Sequence, residues 1–468
     1  MIYEGSYPYV HGGVSSWGHQ YIQGMPEHEF VLWLIGANAK DKDKFKYELP
    51  KNVVEVHQLF LDDALALRGS AREAQMFTQQ EQAEISKLIT GQPLNWDILF
   101  SCFYEKQMNP ASFLVGESFL KTFEASCREH YPHASYAEFF HTVRSMLLPE
   151  LYLLTQPVPK ADIYHATCTG YSGLLGSLGS FVNKKPFIVT EHGIYTRERE
   201  EEILRAKWVV PYFRHNWIDL FYQFSSCAYS HAAAVTTLYE QARQKQIELG
   251  SAPEKTSVIA NGIHYERFCG LEDKQPDGYI DIGAVVRIAK IKDIKTMIYA
   301  FTELKARVKN ARLHIMGDVD DKDYYKECLL LVKQLGTQDI IFTGMVNVIE
   351  YMEKLDFTIL TSISEAQPLA VIESFAAKRP CVTTDVGSCR ELLFGCCAGD
   401  DLGQAGYCAP PMNKEELALA MERMCKDAKR RREMGAVGRK RAQTYFTHQH
   451  SMQQYKQLYR EVVEKWQA

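Results

Sequence analysis

No stretch of this sequence reaches the roughly 18 consecutive apolar residues that cross a bilayer. The opening Met1-Ile-Tyr-Glu-Gly5 lacks the basic and apolar regions of a signal peptide. The twelve cysteines contain no C-x-x-C pair and include one adjacent pair, Cys396-Cys397. Such scatter in a long chain reads as reduced thiols, not as a disulfide frame or a zinc site. A dominant charge is missing as well: 53 Lys+Arg stand against 58 Asp+Glu, a net −5. That balance gives no support to a nucleic-acid binder. There is no internal repeat, no low-complexity tract and no G-x-G-x-x-G, so a dinucleotide cofactor is poorly supported. What is present is 468 residues, 46% hydrophobic and 24% charged, enough for two or three domains at about 150 residues each. The expectation is a soluble, cytoplasmic, multi-domain protein.

Short β-rich runs alternate with longer helix-period segments, the pattern of βαβ units and parallel sheets. In the first half strands are predicted at Glu29–Ile35, Asp162–Ala166, Pro186–Thr190, Ala233–Thr237 and Thr256–Ala260. In the second half they are predicted at Tyr279–Val286, Arg312–Met316, Ile340–Phe342, Phe357–Leu360 and Cys381–Thr384. Residues 62–160, rich in Gln, Glu, Phe and Tyr, carry no strand signal and read as a helical insertion. The sequence therefore predicts an α/β protein of two Rossmann-like domains, residues 1–262 and 263–446, joined near Asn261-Gly-Ile-His264. A closing helix is expected over 447–468, and the basic run Lys429–Arg432 reads as a solvated helix face.

Ligands of such sheets bind beyond the carboxyl ends of the strands. Ser364-Glu-Ala-Gln-Pro-Leu-Ala-Val-Ile-Glu373 follows one predicted strand directly. Pro368 suits a helix start, where its missing N–H costs nothing. The amides of Leu369 and Ala370 would then be free to hold a phosphate at a positive helix end. Glu365 and Glu373 flank that helix end, where they can accept hydrogen bonds from sugar hydroxyls. Alternatively, they are a helix-terminal charge and a surface residue. Arg287-Ile-Ala-Lys-Ile-Lys292 ends another strand of the same half. Its guanidinium fork and point charge can converge on one diphosphate. In the first half, Tyr9-Val-His-Gly-Gly-Val-Ser-Ser16 places Gly12 and Gly13 before a helix, either for close ligand approach or as a plain turn. His192, in Thr190-Glu-His-Gly-Ile-Tyr195, is either a settled loop residue or a donor to a sugar. Asp318-Val-Asp320 spells the D-x-D of metal-dependent glycosyltransferases, but it lies in an acidic loop beside two cations, so no metal site is assigned.

These motifs, in this order, resemble glycosyltransferase family 4. Glu4–Trp17, Thr190–Thr196 and Thr384-Asp-Val-Gly-Ser-Cys-Arg-Glu391 resemble its PelF-like branch, which builds the Pel exopolysaccharide. The resemblance covers nearly the whole chain and implies a GT-B fold, with two sheets facing across a cleft. It also implies a UDP-sugar donor, retention at the anomeric carbon, no cofactor and no essential metal. By the same resemblance, Gly12 and Gly13 approach the diphosphate, as do Arg287 and Lys292. His192 and Glu365 meet the donor hexose, Glu373 meets the ribose, and the Gly344-Met-Val346 turn faces the base. Two departures stand out: Gln367 replaces a usual aromatic or glycine, and Asp293 replaces the glycine that commonly follows the lysine.

The expected reaction is hexose or N-acetylhexosamine transfer to a polysaccharide acceptor. Same-face attack is preferred, and a double displacement through Glu365 is the alternative. Rival readings are a UDP-sugar epimerase, a phosphorylase, or a non-catalytic nucleotide-sugar-binding subunit. The resemblance also implies inner-membrane polysaccharide export proteins as partners, with recruitment to the membrane through them. The 62–160 insertion is then either the docking surface or a structural cap.

Overall fold

The computed structural model describes residues 1–72, 76–395 and 397–467; Cys396 lies outside them. Contacts divide the chain into two compact units. The first comprises Met1–Thr237, Arg243–Ser257 and the segment from Tyr455 onward; the second comprises Leu238–Ala242 and Val258–Gln454. The chain thus passes between units at Ser257/Val258, near the expected joint. The final helix, His448–Gln467, lends its second half to the first unit instead of standing alone.

The first unit is built on strands β1 (Ile2–Glu4), β2 (Phe30–Gly36), β3 (Val53–Phe60), β4 (Tyr164–Ala166), β5 (Phe187–Glu191), β6 (Ala234–Thr237) and β7 (Thr256–Val258). Their order is β3-β2-β1-β4-β5-β6-β7. The second unit holds β8 (Ile280–Val285), β9 (Ala311–Met316), β10 (Ile340–Gly344), β11 (Phe357–Leu360), β12 (Cys381–Thr384) and β13 (Gly406–Ala409). Their order is β10-β9-β8-β11-β12-β13, parallel throughout. The central strands are nearly unbroken apolar runs because both sheet faces are covered by helices. Phe357–Leu360, for example, is buried at every position.

All ten predicted strands form, with ends moved by at most two residues. Three more were not foreseen. β1 is only three residues long and sits at the chain start. β3 is an edge strand whose Glu55, His57 and Gln58 break the apolar run. β13, Gly-Tyr-Cys-Ala, has weak strand propensity.

The described residues of 62–160 are mostly helical, and they are not a separate appendage. They form the connection from edge strand β3 back to β4, beside β1. Their apolar residues belong to the same core as the sheet. A file of rings runs through them: Phe113–Phe119 at 4.9 Å, Phe123–Phe139 at 5.2 Å and Phe139–Phe213 at 5.2 Å. The cap reading is therefore structural fact for their inner face. In the basic run, Arg431 is half-buried and pairs with Asp356 at 3.1 Å, while Lys429, Arg430 and Arg432 are exposed.

Glu150, in the helix Tyr136–Leu154, is fully buried, and neither side-chain oxygen has a hydrogen-bond partner among the described residues. Burial raises its pKa well above the ordinary 4.5, so the folded chain keeps a proton that the unfolded chain releases. The stability tied to that proton is full below the unfolded value and is lost as pH rises above it. Glu150→Gln keeps the shape without the ionisation. The expected outcome is a flatter decline of Tm between about pH 5 and about pH 8 than in the parent chain. Parallel declines in thermal denaturation would contradict this.

Candidate active site

In the second unit the strand order reverses between β8 and β11, because chain segments β9–β10 lie on one side and β12–β13 on the other. The loops leaving two such neighbouring strands diverge and leave a crevice at the carboxyl edge. The loop after β8 is Arg287–Lys292; the loop after β11 leads through Glu365 to the helix Leu369–Ala376. Topology thus brings together the two motifs that the sequence offered separately.

The two loops are clasped. Thr361 Oγ1 donates to the carbonyls of Lys292 (2.9 Å) and Asp293 (3.2 Å), and the Ile363 amide donates to Ile291 O at 2.9 Å. Lys292 Nζ forms an ion pair with Glu365, whose Oε1 also accepts from Ser362 Oγ at 2.6 Å. Both side chains are largely sheltered, at 18% and 13% exposure. Arg287 instead lies exposed and pairs with Asp320. The D-x-D aspartates are thereby occupied by protein: Asp320 by Arg287, and Asp318 by the Val319 amide at 2.8 Å. Among the described residues no three His, Cys, Asp or Glu side chains group as metal ligands.

Pro368 is the N-cap of the helix Leu369–Ala376, one place earlier than a first-turn residue, and its side chain makes no capping bond. The amides of Leu369 and Ala370 therefore open the helix at the same edge, as expected. Glu373 lies in that helix, and its carboxyl has no hydrogen-bonding partner among the described groups. Burial pushes its pKa up to about 7, a rise that the positive charge of Arg267 restrains.

The two departures acquire physical reasons. Asp293 has φ +46°, in the left-handed region where glycine is usual. It tolerates that conformation by capping the next helix, accepting from the Thr296 amide at 3.3 Å. Gln367 is buried; its Oε1 accepts from the Asn261 amide at 2.7 Å and its Nε2 donates to Leu238 O at 3.3 Å. An aromatic ring could make neither bond. Gly344 (φ +66°) opens the Gly344–Val346 turn, Met345 is exposed, and Val346 packs half-buried against the core.

Sequence reasoning picked out the loop after β12, within Thr384–Glu391, as a family motif but gave it no place beside the Glu365 loop. Gly387 has φ +52°, and a Cβ there would stand 2.2 Å from Glu365 O. The Ser388 amide donates to Ala366 O at 2.8 Å. The Gly-Ser pair inside Thr384–Glu391 was the available signal. Together these contacts wall the Glu365 loop on its other side.

In the first unit, Gly12 and Gly13 start the helix Gly13–Gln23. Gly12 is extended, and a Cβ on either glycine would meet open space, so no protein contact demands them. His192 follows β5 and packs against Trp17 of that helix at 4.5 Å. Burial lowers its pKa to about 4, and its Nε2 has no hydrogen-bond partner among the described residues. The preceding residue, Glu191, is fully buried and accepts from Tyr229 (2.5 Å), Gln246 (2.9 Å), Thr169 (3.2 Å) and the Tyr195 amide (3.2 Å). That network fixes the turn carrying His192. A neutral ring with one open nitrogen can exchange a hydrogen bond with a ligand but not a charge.

Comparison with known proteins agrees with this architecture. Residues 1–254 match the family described as a domain of unknown function (DUF3492), and residues 272–441 match glycosyl transferases group 1. The capsular polysaccharide biosynthesis glycosyltransferase CapM of Staphylococcus aureus is 24% identical over 305 residues, covering 62% of this chain and 74% of CapM. The MMP alpha-(1->4)-mannosyltransferase of Mycolicibacterium hassiacum is 22% identical over 268 residues, covering 56% and 62%. HepE of Anabaena, solved in complex with UDP, superposes with a TM-score of 0.61 at 14% identity over 98% of this chain and 99% of HepE. Sucrose-phosphate synthase of Thermosynechococcus elongatus gives 0.59 at 15% identity, over 97% and 94%.

Two Rossmann-like parallel-sheet units give the chain the GT-B fold of these neighbours. The chain belongs to the DUF3492 family, and its residues 272–441 match the glycosyl transferases group 1 model.

The Glu373 assignment can be measured directly. Its carboxyl, followed by carbon NMR, is expected to titrate near 7, and Arg267→Ala is expected to move the midpoint upward by removing the nearby positive charge. A midpoint in the ordinary carboxylate range would show that the group is solvated.

Proposed function

We propose that this glycosyltransferase moves a hexose or N-acetylhexosamine from a UDP-sugar to a growing exopolysaccharide chain, with retention at the anomeric carbon and without a metal ion. The observation that carries the reading is the edge of the second sheet. There the β8 and β11 loops are clasped, with Lys292 paired to Glu365, and the same loops carry Arg287 and lead into the helix of Leu369, Ala370 and Glu373. HepE, with the same fold, is solved with UDP, and CapM acts in capsular polysaccharide biosynthesis. The PelF-like motifs give the polymer class and imply hand-over to inner-membrane export proteins on the cytoplasmic side.

In this reading the donor diphosphate meets Arg287, Lys292 and the free helix amides. The exposed Arg287–Asp320 pair is worth at most about 1 kcal/mol, so a phosphate readily takes the guanidinium from Asp320. Lys292 is sheltered and already paired, which keeps its charge in place without a ligand. Glu373 accepts from the ribose hydroxyls, and the Gly344–Val346 turn faces the base. In the first unit, His192 offers its open nitrogen to the hexose, and Gly12-Gly13 leave backbone accessible to phosphate.

As the C1–O bond to phosphate breaks, its electron pair moves onto the β-phosphate. Arg287 and Lys292 stabilise that growing charge more in the transition state than in the bound donor, which lowers the barrier. The acceptor hydroxyl oxygen bonds to C1 on the face the phosphate leaves, and its proton passes to the departing phosphate oxygen. Glu365 is held at one oxygen by Lys292 and Ser362, which suits hydroxyl recognition better than nucleophilic attack. That favours same-face attack over double displacement.

Lys292→Ala is expected to lower turnover about 100-fold, on the order of 3 kcal/mol in the barrier, measured as UDP release from a UDP-sugar panel with acceptor. Unchanged turnover would remove Lys292 from the phosphate site. Activity is also expected to persist in excess EDTA. Its abolition, with rescue by Mn²⁺ or Mg²⁺, would mean that Asp318 and Asp320 serve a metal after all.

A further inference from the structure

A cavity of about 380 Å³ lies beside the Glu365 loop, and every residue lining it belongs to the second unit. Its volume falls within the range of about 300–1,000 Å³ typical of small-molecule sites. Most of the lining is apolar: Leu238, Leu392 and Phe446 are buried, and Val258 and Ala260 are half-buried. Tyr239 and Tyr445 add two half-buried rings. Such walls fit the hydrocarbon or ring body of a ligand.

The polar lining decides the charge of an occupant. Among the described residues there, Glu240 and Glu391 are acidic, His450 is the one basic side chain, and there is no Lys or Arg. A phosphate or carboxylate is therefore repelled. Glu391 does not invite a cation either. Its two oxygens accept from the Glu240 and Gln241 amides, each at 3.0 Å, and burial raises its pKa against the pull of those bonds. Ser388 supplies the polar contact that is left over. It is the N-cap of the helix Cys389–Phe394, a place where a serine hydroxyl ordinarily accepts from a first-turn amide. Here Oγ makes no capping bond, is buried, and has no hydrogen-bond partner among the described residues. An unpaired buried hydroxyl is costly, and a hydroxyl on an occupant of the cavity removes that cost.

Two lining residues also hold the Glu365 loop. Gln367 bonds the Asn261 amide and Leu238 O through its side chain, and the Ser388 amide bonds Ala366 O. An occupant against Gln367 and Ser388 thus bears on the chain one and two residues beyond Glu365. We propose that the cavity binds a small neutral molecule carrying a ring and a hydroxyl group, and that its occupant raises donor affinity through Gln367 and Ser388. With those two residues fixed, less ordering of the loop remains for the donor to bring about. The effect on the donor rests on the function proposed above; the binding site itself does not.

The experiment titrates the full chain with three probes that share one body, and reads binding by ligand-observed saturation-transfer NMR. They are tyrosol, which is neutral, 4-hydroxyphenylacetate, an anion, and tyramine, a cation. Tyrosol is expected to bind at least about tenfold more tightly than either charged probe. Ser388→Ala and the cavity-filling Ala260→Leu are each expected to weaken tyrosol binding at least about fivefold. The serine variant removes a hydroxyl that no described residue uses, so it still reports if Ala260→Leu fails to fold. Saturating tyrosol is expected to tighten UDP binding at least about threefold, and UDP must tighten tyrosol binding by the same factor. Absence of tyrosol binding, tighter binding of a charged probe, or undiminished binding by the folded variants overturns the site. UDP binding that is unchanged or weakened by tyrosol overturns the coupling. A parent chain that binds no UDP counts against the proposed reaction, while the probes and variants still decide the site.

Discussion

The hydroxyl of Thr361, donating to the carbonyls of Lys292 and Asp293, ties together the two loops from which the proposed reaction is built. It closes the crevice edge where β8 and β11 part. Together with the Ile363 amide donating to Ile291 O, it joins the Lys292 and Glu365 loops backbone to backbone. With it, the backbone of one loop is a wall of the other, and the Lys292–Glu365 ion pair forms between groups already positioned. In the proposed reaction, a charge held this way would need little reorganisation to meet a phosphate, the kind of preorganisation that lowers enzymatic barriers. The left-handed backbone at Asp293 and the close approach of Gly387 to Glu365 O are local consequences of packing three loops into one edge.

The first unit solves a similar problem with buried polar groups instead of exposed turns. Glu4, at the end of β1, accepts from Tyr195 Oη at 3.0 Å and the Ser172 amide at 3.3 Å. Glu191 ends β5 with four donors around it. His165 in β4 binds Thr190 Oγ1 at 2.8 Å and Tyr459 Oη at 2.9 Å, the latter from the final helix. A buried carboxylate costs several kcal/mol unless its oxygens are paired, so these groups specify where each turn must sit. Glu150 is the contrast: it is buried without partners among the described residues, and burial alone raises its pKa well above the ordinary value.

Structural networks account for other charges that could pass for a site. Asp281 lies among Lys274, Arg312 and His314 at the start of β8, the end away from the crevice. Arg441 and Asp400 are both fully buried and joined at 2.6 Å, and Arg441 also donates to three carbonyls near Leu392 and Gly403. The first ties β8 to β9 and the second ties the helix Ala428–Tyr445 to the helix Cys389–Phe394 and the loop after it.

The sequence by itself determined the two-sheet α/β organisation. Strands covered on both faces are mostly apolar, and runs such as Phe357–Leu360 and Pro186–Thr190 are readable from that pattern. It also exposed the phosphate-suited turns, because Gly, Arg, Lys and Pro at strand ends have local chemical meaning. It could not find β3, whose polar residues belong to a sheet edge, or β1, too short to show a period. Nor could it show that residues 62–160 are part of the first core, since that depends on where β3 and β4 lie in the sheet. Only tertiary structure placed the reversal between β8 and β11, gave Gln367 its two backbone partners and raised the Glu373 pKa by burial. Each of these rests on residues far apart in the chain, and neither composition nor spacing encodes which distant backbone a side chain will meet.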